Sequence, residues 1–386
     1  MTSVSEPLQP GTLIGILGGG QLAQMLVLAG HAMGFRFKVL DPNPDCPAAL
    51  AGAEQITASY DDMQALRKLA DSCEVVTYEF ENVDADAVAW LEDRVDLPQG
   101  SGILRISQNR LKEKAYLEQL NIPIVPHKKI NTEEELSIAF DQLGELILKT
   151  VTGGYDGKGQ TLVSARDQIT EASEELLQSG IELVAEKFVP FKKEVSVIVA
   201  RNRLGEVRCF PVAENLHQKN ILIISRIPAR LNSSVTEKAK IIAKQIAEGL
   251  DLTGVFCIEM FVLEDGELLV NELAPRPHNS GHYTQNACTT SQFEQHIRAI
   301  TNLPLGLADS CKSAVMLNIL GQHLPLLLKQ LKHLPPEAKL HLYGKKETRP
   351  GRKMGHINIV SDSSGSLLNP LIKLGIWEES LLSAML

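Results

Sequence analysis

Residues 146–163 read Leu-Ile-Leu-Lys-Thr-Val-Thr-Gly-Gly-Tyr-Asp-Gly-Lys-Gly-Gln-Thr-Leu-Val. The apolar run Leu146–Val151 carries a single lysine, Lys149, and Gln160–Val163 resumes a strand pattern, so a glycine-rich segment joins two strands. Glycines at 153, 154, 157 and 159 let backbone N–H groups approach an anion without side-chain interference. Lys149 and Lys158 add positive charge. The segment is not a P-loop, which needs Gly-Lys-Ser/Thr and a following helix; here Gln160 stands near the hydroxyl's place and a strand follows. A flexible hairpin turn is the plainer reading. Four glycines beside a strand-end lysine favour a lid over phosphates.

Outward from this stretch the pattern is α+β. Asn109–Leu120 has helical spacing and is rich in Arg and Lys. Strand-like runs follow at Leu183–Val189, Val195–Ala200, Val207–Pro211 and Ile221–Ile227, with helices at Thr132–Leu143, Ala165–Gln178 and Thr236–Leu250. Before about Ser107 the texture is α/β: strands at Thr12–Leu17, Phe35–Leu40 and Val75–Tyr78 alternate with helices at Leu22–Met33 and Ala85–Leu91, which implies a parallel sheet. A third segment begins near Ser313, with short strands at Lys339–Tyr343 and His356–Val360.

Val255–Leu263 and Leu268–Leu273 flank Glu264-Asp265-Gly266-Glu267. Read as a two-residue type I′ turn, Asp265-Gly266 pairs Val262 with Leu269, Met260 with Asn271 and Glu259 with Glu272. Directly opposed like charges destabilise a ladder. Glu259, set among apolar neighbours, therefore invites a shared proton or a cation, and hard carboxylate oxygens suit Mg²⁺. The polar run after Glu272 places Arg276, His278, Asn279 and His282 in one short loop, where Arg276 could clamp an oxyanion.

Gly18-Gly19-Gly20-Gln21-Leu22-Ala23 follows a strand and opens a helix, and Asp41 ends the next strand. This fits a dinucleotide fingerprint, or any phosphate seated on a helix N-terminus. Arg349-Pro350-Gly351-Arg352-Lys353 groups three cations at a turn, either a solvated patch or a pocket for a phosphate monoester. The length of 386 residues suggests two or three domains, the net charge of −9 speaks against general nucleic-acid binding, and 44% hydrophobic residues leave ample material for a core. Six scattered cysteines with no Cys-x-x-Cys pair fit reduced thiols in a cytoplasmic protein. The polar start lacks a signal-peptide pattern, and no apolar run is long enough for a membrane span.

Thr152–Gln160, Asn271–His282 and Arg349–His356, with the opening Gly-Gly-Gly-Gln-Leu, closely resemble the 5-(carboxyamino)imidazole ribonucleotide synthetases, ATP-grasp enzymes of purine biosynthesis. The resemblance spans nearly the whole chain. It implies an ATP-grasp fold with an N-terminal Rossmann-like domain (1–106), an ATP-grasp domain of two subdomains (107–308) and a small β-rich C-terminal domain (309–386). It implies ATP, Mg²⁺ (as two ions), bicarbonate as co-substrate, and a cytoplasmic homodimer with no nucleic-acid or membrane partner.

Residue by residue, it implies that Arg110 and Lys149 contact ATP phosphates under a lid of Gly154, Tyr155, Asp156, Gly157, Lys158, Gly159 and Gln160. Glu186, Lys187, Phe188 and Val189 read adenine, Glu194 holds the ribose, and His217 lies near the nucleotide. Glu259 and Glu272 hold the metal, with Asn271 beside them. Gln21, Leu22, Glu79, Tyr155, Asp156, Arg276, His278, Lys345, Arg352 and Lys353 surround the ribonucleotide and bicarbonate, with Asp156, Arg276, Lys345 and Lys149 as the catalytic set. The chain departs from the family's usual Gly-Gln-Leu-Gly-Arg-Met in having Ala23 and Gln24, and the pattern leaves Lys345 and Lys346 unseparated. The implied reaction is attack of bicarbonate on the γ-phosphate, then capture of carbon dioxide by the amine of aminoimidazole ribonucleotide. A nicotinamide-dependent dehydrogenase, resting on Gly18–Ala23 and Asp41, is the rival. A non-catalytic nucleotide sensor is a second.

Overall fold

Leu13–Leu17 is an inner strand of a four-stranded parallel sheet, between Arg36–Leu40 and Val75–Tyr78, with Glu54–Ile56 at the edge beyond Arg36–Leu40. The computed structural model describes residues 6–153, 159–177, 182–250, 252–362 and 367–385. All five residues of Leu13–Leu17 are buried, as in a strand covered on both faces. Leu13 and Leu17 pack with Leu66 and Leu69 of the helix Met63–Ser72. Ile14 and Ile16 face the helix Gln21–Ala32 together with Phe293, Ile297 and Ile300 of the distant helix Gln292–Ile300. That second face fastens the N-terminal sheet to the remainder of the chain.

The glycine run ending this strand is explained by what crowds it. A Cβ on Gly19 would lie 2.3 Å from Cys46 Sγ, and one on Gly20 would lie 2.7 Å from Glu79 Oε1. The Gly20 and Ala23 N–H groups donate to Glu79 at 2.9 and 3.2 Å, and the Gly19 N–H donates to Asp41 Oδ2 at 2.8 Å. The protein's own carboxylates thus fill the anion seat at this helix N-terminus. Asp41, 4% exposed, also accepts from Tyr60 Oη and is turned into the loop. The dinucleotide expectation is not met: its acid and its phosphate cradle are both occupied from within.

A four-stranded antiparallel sheet runs in the order His127–Ile130, Leu183–Lys187, Leu146–Thr150, Gln160–Val163. The strand–loop–strand reading of residues 146–163 therefore holds. A nine-stranded antiparallel sheet runs from Leu268–Ala274 through Gly254–Val262, Lys193–Arg201, Ala213–Gln218, Ile221–Ile227, Ser313–Leu320 and Lys353–Ser361 to Ala338–Leu342, with Val207–Cys209 pairing to Lys193–Arg201. The C-terminal strands are hydrogen-bonded into this same sheet through Ile221–Ile227 and Ser313–Leu320.

The glutamate hairpin differs from its sequence reading in two places that offset each other. Leu263 N–H donates to Glu267 O and Gly266 N–H to Leu263 O, closing a three-residue loop in which Gly266 alone takes a positive φ, 84°. This is a type I turn with a left-handed glycine, not the type I′ turn expected. Val262 consequently pairs with Leu268 and Met260 with Val270, one residue off the expected register. A bulge between Glu259 and Met260 then absorbs Asn271, and Glu259 faces Glu272 as expected. Among the described residues no helix is long and apolar enough to cross a membrane.

The crowding at Gly19 makes a direct prediction. Gly19→Ala forces a methyl group into Cys46 and lowers stability by about 1–3 kcal/mol, and adding Cys46→Ala recovers part of the loss. Denaturant titration of the single and double variants checks both outcomes.

Candidate active site

The strands and loops just described converge on one cleft of roughly 1490 Å³. Its walls carry Glu259, Asn271 and Glu272 from the hairpin, Lys149 and Gln160 from the strands flanking the glycine loop, and Arg110 from the helix Arg110–Gln119. Glu194 and His217 come from neighbouring strands of the large sheet. Arg276 and His278 lie on the loop after the hairpin. Gln21, Leu22 and Glu79 arrive from the parallel sheet, and Lys345, Arg352 and Lys353 from the C-terminal segment. Gly154, Tyr155, Asp156, Gly157 and Lys158 fall outside the described residues. Gly159 (φ +70°) closes the loop, its carbonyl accepting from Thr150 N–H at 2.8 Å.

Charge accumulates around the hairpin. Burial and the facing Glu272 raise the Glu259 carboxyl above its ordinary range. Behind them stands a third carboxyl, Glu113, which accepts from Leu273 N–H at 3.1 Å. Burial and Glu272 push it up to about 8. Arg110 Nη1 lies 3.8 Å from Glu272 Oε2, and His278 Nε2 lies 3.6 Å from Glu259 Oε1. His217 Nδ1 meets Glu194 Oε2 at 2.6 Å; burial works against its charge, but Glu194 and Glu259 raise it. Opposed carboxylates with their oxygens on a polar cleft fit a hard divalent cation, which would offset both the burial and the repulsion that raise Glu259.

Behind Lys149 lies a buried ion cluster. Lys149 Nζ and Lys114 Nζ bind the two oxygens of Glu186 at 2.6 and 2.9 Å. Burial alone would raise Glu186, but the two lysines hold it down to about 2. Lys187 and Phe188 follow at the strand's end, their N–H groups donating to the carbonyls of Pro126 and Glu145, and Val189 continues the segment. Lys114 and Glu113 escape a reading of sequence. The available signal is spacing: Arg110, Glu113 and Lys114 stand at i, i+3 and i+4 and share one helix face.

Glu81 is the other residue missed. It holds Arg276 bidentately through Nε and Nη2, the latter at 2.6 Å, while Nη1 donates to Pro277 O at 3.1 Å. Burial opposes the pairing, yet Arg276 keeps Glu81 below its ordinary value. Arg276 is thus aimed from behind, with guanidinium N–H groups left over for a ligand. Burial and its cationic neighbours draw His278 well below the usual imidazole range, so it is neutral. Lys345 Nζ donates to Gln21 Oε1 and Lys353 O, both at 2.8 Å, and burial and Arg352 lower it to about 8. Lys346 instead pairs with Asp45 at 2.7 Å on the surface, which separates the two lysines. Gln24, where the family usually has arginine, donates to Tyr343 O at 3.4 Å.

Glu113 gives a stability test. Its folded value lies above its unfolded one, so its contribution is full below about pH 4.5 and is lost as pH rises through about 8. In metal-free buffer Glu113→Gln, which mimics the protonated acid, is expected to gain on the parent protein as pH rises, by a few kcal/mol at most near pH 8.5. Thermal melts from pH 5 to 8.5 measure the gap; a gap that does not widen refutes the assignment.

Residues 12–108 match the ribonucleotide synthetase preATP-grasp domain, residues 115–293 the ATP-grasp domain, and residues 314–369 the phosphoribosylaminoimidazole carboxylase C-terminal domain. The N5-carboxyaminoimidazole ribonucleotide synthase of Bacillus subtilis is 48% identical over 91% of this chain and 92% of its own. That of Brucella melitensis is 44% identical over 91% and 96%. A solved ADP complex of an N5-carboxyaminoimidazole ribonucleotide synthetase superposes with a TM-score of 0.93 at 48% identity, covering 98% of this chain and 99% of that one. The Aspergillus clavatus enzyme in complex with ADP and 5-aminoimidazole ribonucleotide superposes at 0.88 and 34% identity, covering 97% and 99%. The chain belongs to the N5-carboxyaminoimidazole ribonucleotide synthase family of ATP-grasp ligases, which carboxylate aminoimidazole ribonucleotide at the expense of ATP in purine biosynthesis.

Proposed function

We propose that this cleft carries out the family reaction with bicarbonate as the carbon source and carboxyphosphate as the intermediate. The observation that supports it most is the meeting, in one cleft, of the Glu259–Glu272 pair, Lys149, and the Arg276–His278 loop. ATP lies with its phosphates between Arg110 and Lys149, under the loop Gly154–Gln160. Its adenine lies against Glu186–Val189, its ribose on Glu194, and His217 close by. Glu259 and Glu272, beside Asn271, hold Mg²⁺, which when bound neutralises charge on the transferred phosphoryl group.

Arg276 and His278 orient bicarbonate so that one of its oxygens attacks the γ-phosphorus and ADP leaves. The carboxyphosphate so formed breaks into carbon dioxide and phosphate, and the exocyclic amine of aminoimidazole ribonucleotide adds to the carbon and gives up a proton. Asp156 accepts that proton. Gln21, Leu22, Glu79, Tyr155, Lys345, Arg352 and Lys353 hold the ribonucleotide. Glu81 and the Glu186 carboxylate need no contact with substrate: they fix Arg276 and Lys149 before it arrives, which is where positioning enters catalysis, and only the backbone of the Glu186–Val189 segment is left for adenine. Water must be shut out because it competes for the intermediate. The division of labour follows three units, 1–106, 107–308 and 309–386. The protein works as a cytoplasmic homodimer.

The deciding assay is ADP release with Mg²⁺ and bicarbonate, with and without aminoimidazole ribonucleotide. Release independent of the ribonucleotide would sink the reading. Glu272→Ala is expected to lower kcat by at least about 10²-fold with a melting temperature no lower than the parent's, since a repulsion is removed. Lys345 gives a pH signature. It loses its charge as pH climbs through about 8, so the KM for the phosphorylated ribonucleotide rises across that range. In Lys345→Met the KM is already high and its pH profile is flat.

A further inference from the structure

A file of small polar side chains crosses the large sheet beneath the cleft, and every one of them is buried. Ser225 Oγ donates to Asn215 Oδ1 at 2.8 Å, Asn215 Nδ2 donates to Ser196 Oγ at 2.9 Å, and Ser196 Oγ donates to Ser280 Oγ at 2.7 Å. Ser225, Ser196 and Ser280 are at most 1% exposed, and Asn215 is 6% exposed. Register fixes the file in place: Asn215 pairs with Ser225 across one ladder, and Ser196 pairs with Glu259 across another. A buried polar chain costs stability unless every member is satisfied and is worth most where it specifies one arrangement.

The file ends on His278. Ser280 Oγ lies 2.9 Å from His278 Nδ1, and the Ser280 backbone N–H donates to the same Nδ1 at 3.3 Å. A backbone N–H can only donate, so Nδ1 is the bare nitrogen and the imidazole proton sits on Nε2. The serine file agrees in direction. Ser280 Oγ accepts from Ser196, so its own proton is free to go to Nδ1. Nε2 is the nitrogen turned toward Glu259, at 3.6 Å.

We propose that Ser196, Asn215 and Ser280 are positioning residues that lock His278 as an Nε2–H hydrogen-bond donor facing the cleft. This rests on the bicarbonate reading above and assigns His278 its part in it. With Nδ1 occupied and Nε2 carrying its proton, His278 has no lone pair with which to take a proton from bicarbonate or the amine. It donates to a carboxylate-type oxygen of bicarbonate, and later of carboxyphosphate, where negative charge develops. For the same reason the side-chain donors of Cys257, Glu259 and His278, although within 4.8 Å of one another, do not make a three-ligand metal site.

The full-length chain tests this with paired substitutions. A glutamine amide reaches the place of Nε2–H, whereas an asparagine amide reaches only that of Nδ1. His278→Gln is expected to stay within about 10-fold of the parent kcat, while His278→Asn falls by about 10²-fold. Ser196→Ala, out of reach of any substrate, is expected to lower kcat about 10-fold and raise the KM for bicarbonate, with the KM for ATP unchanged. ¹⁵N spectra of histidine-labelled protein, with the His278 signals identified by their loss in His278→Gln, are expected to show protonated Nε2 and bare Nδ1. Activity in His278→Asn equal to or above that of His278→Gln overturns the proposal, as does a protonated Nδ1. So does a Ser196→Ala variant that shifts the KM values for ATP and bicarbonate alike. The spectra do not depend on turnover. A parent protein that makes no product would therefore sink the bicarbonate reading, while the tautomer would still be read.

Discussion

Glu259 and Glu272 face each other across neighbouring strands of a buried sheet, and much of the surrounding structure answers the repulsion between them. Strand pairing cannot relax it, because the backbone ladder on both sides sets the separation. Arg110 approaches Glu272 from one side, and His217, itself held by Glu194, contributes positive charge near Glu259 from another. Glu113, the third carboxyl, lowers the charge of the group by holding its proton up to about 8. Each response is partial. The residual negative charge at the cleft wall suits a hard divalent cation.

The fold was legible where burial imposes a period. Leu13–Leu17 and Val75–Tyr78 are buried throughout and mostly apolar because helices cover both faces, whereas the helix Met63–Ser72 lacks an unbroken apolar run and is not evident from sequence. The facing glutamates were legible for a partly mistaken reason. The turn is one residue longer than the Asp265-Gly266 count allows, and the bulge at Asn271 restores the pairing. Nothing local announces that bulge. The dinucleotide fingerprint failed for a related cause: a glycine run signals a close approach without saying of what, and here Glu79 and Cys46 make the approach.

Glu81 and Lys114 were invisible because their partners are far away in sequence. Glu81 meets Arg276 across 195 positions, and a glutamate in a loop looks like any solvated acid until the chain is folded. Lys114 sits in a helix rich in Arg and Lys, where a charged surface is the ordinary expectation, yet it is 2% exposed. Burying a charged group is tolerable when it is paired. Sequence supplies the charge but not the partner, so residues that line the cleft were easier to name than residues that hold them.

The Lys114–Glu186–Lys149 cluster illustrates why a second residue is needed behind a first. A one-to-one pair of Lys149 with Glu186 would present a neutral unit to the cleft, and an ammonium already neutralised attracts phosphate weakly. Lys114 takes the other oxygen of the same carboxylate, so the three groups together carry one net positive charge. Lys149 is the member that lines the cleft, and Lys114 is shut away behind it. Glu186 can then fix Lys149 without cancelling it. A preset, water-poor positive charge of this kind acts on a phosphate without reorganising when the ligand arrives, and low surrounding dielectric magnifies its effect. Glu81 fixes Arg276 differently, as a one-to-one pair that carries no net charge: it binds one edge of the guanidinium and leaves directional N–H groups on the other.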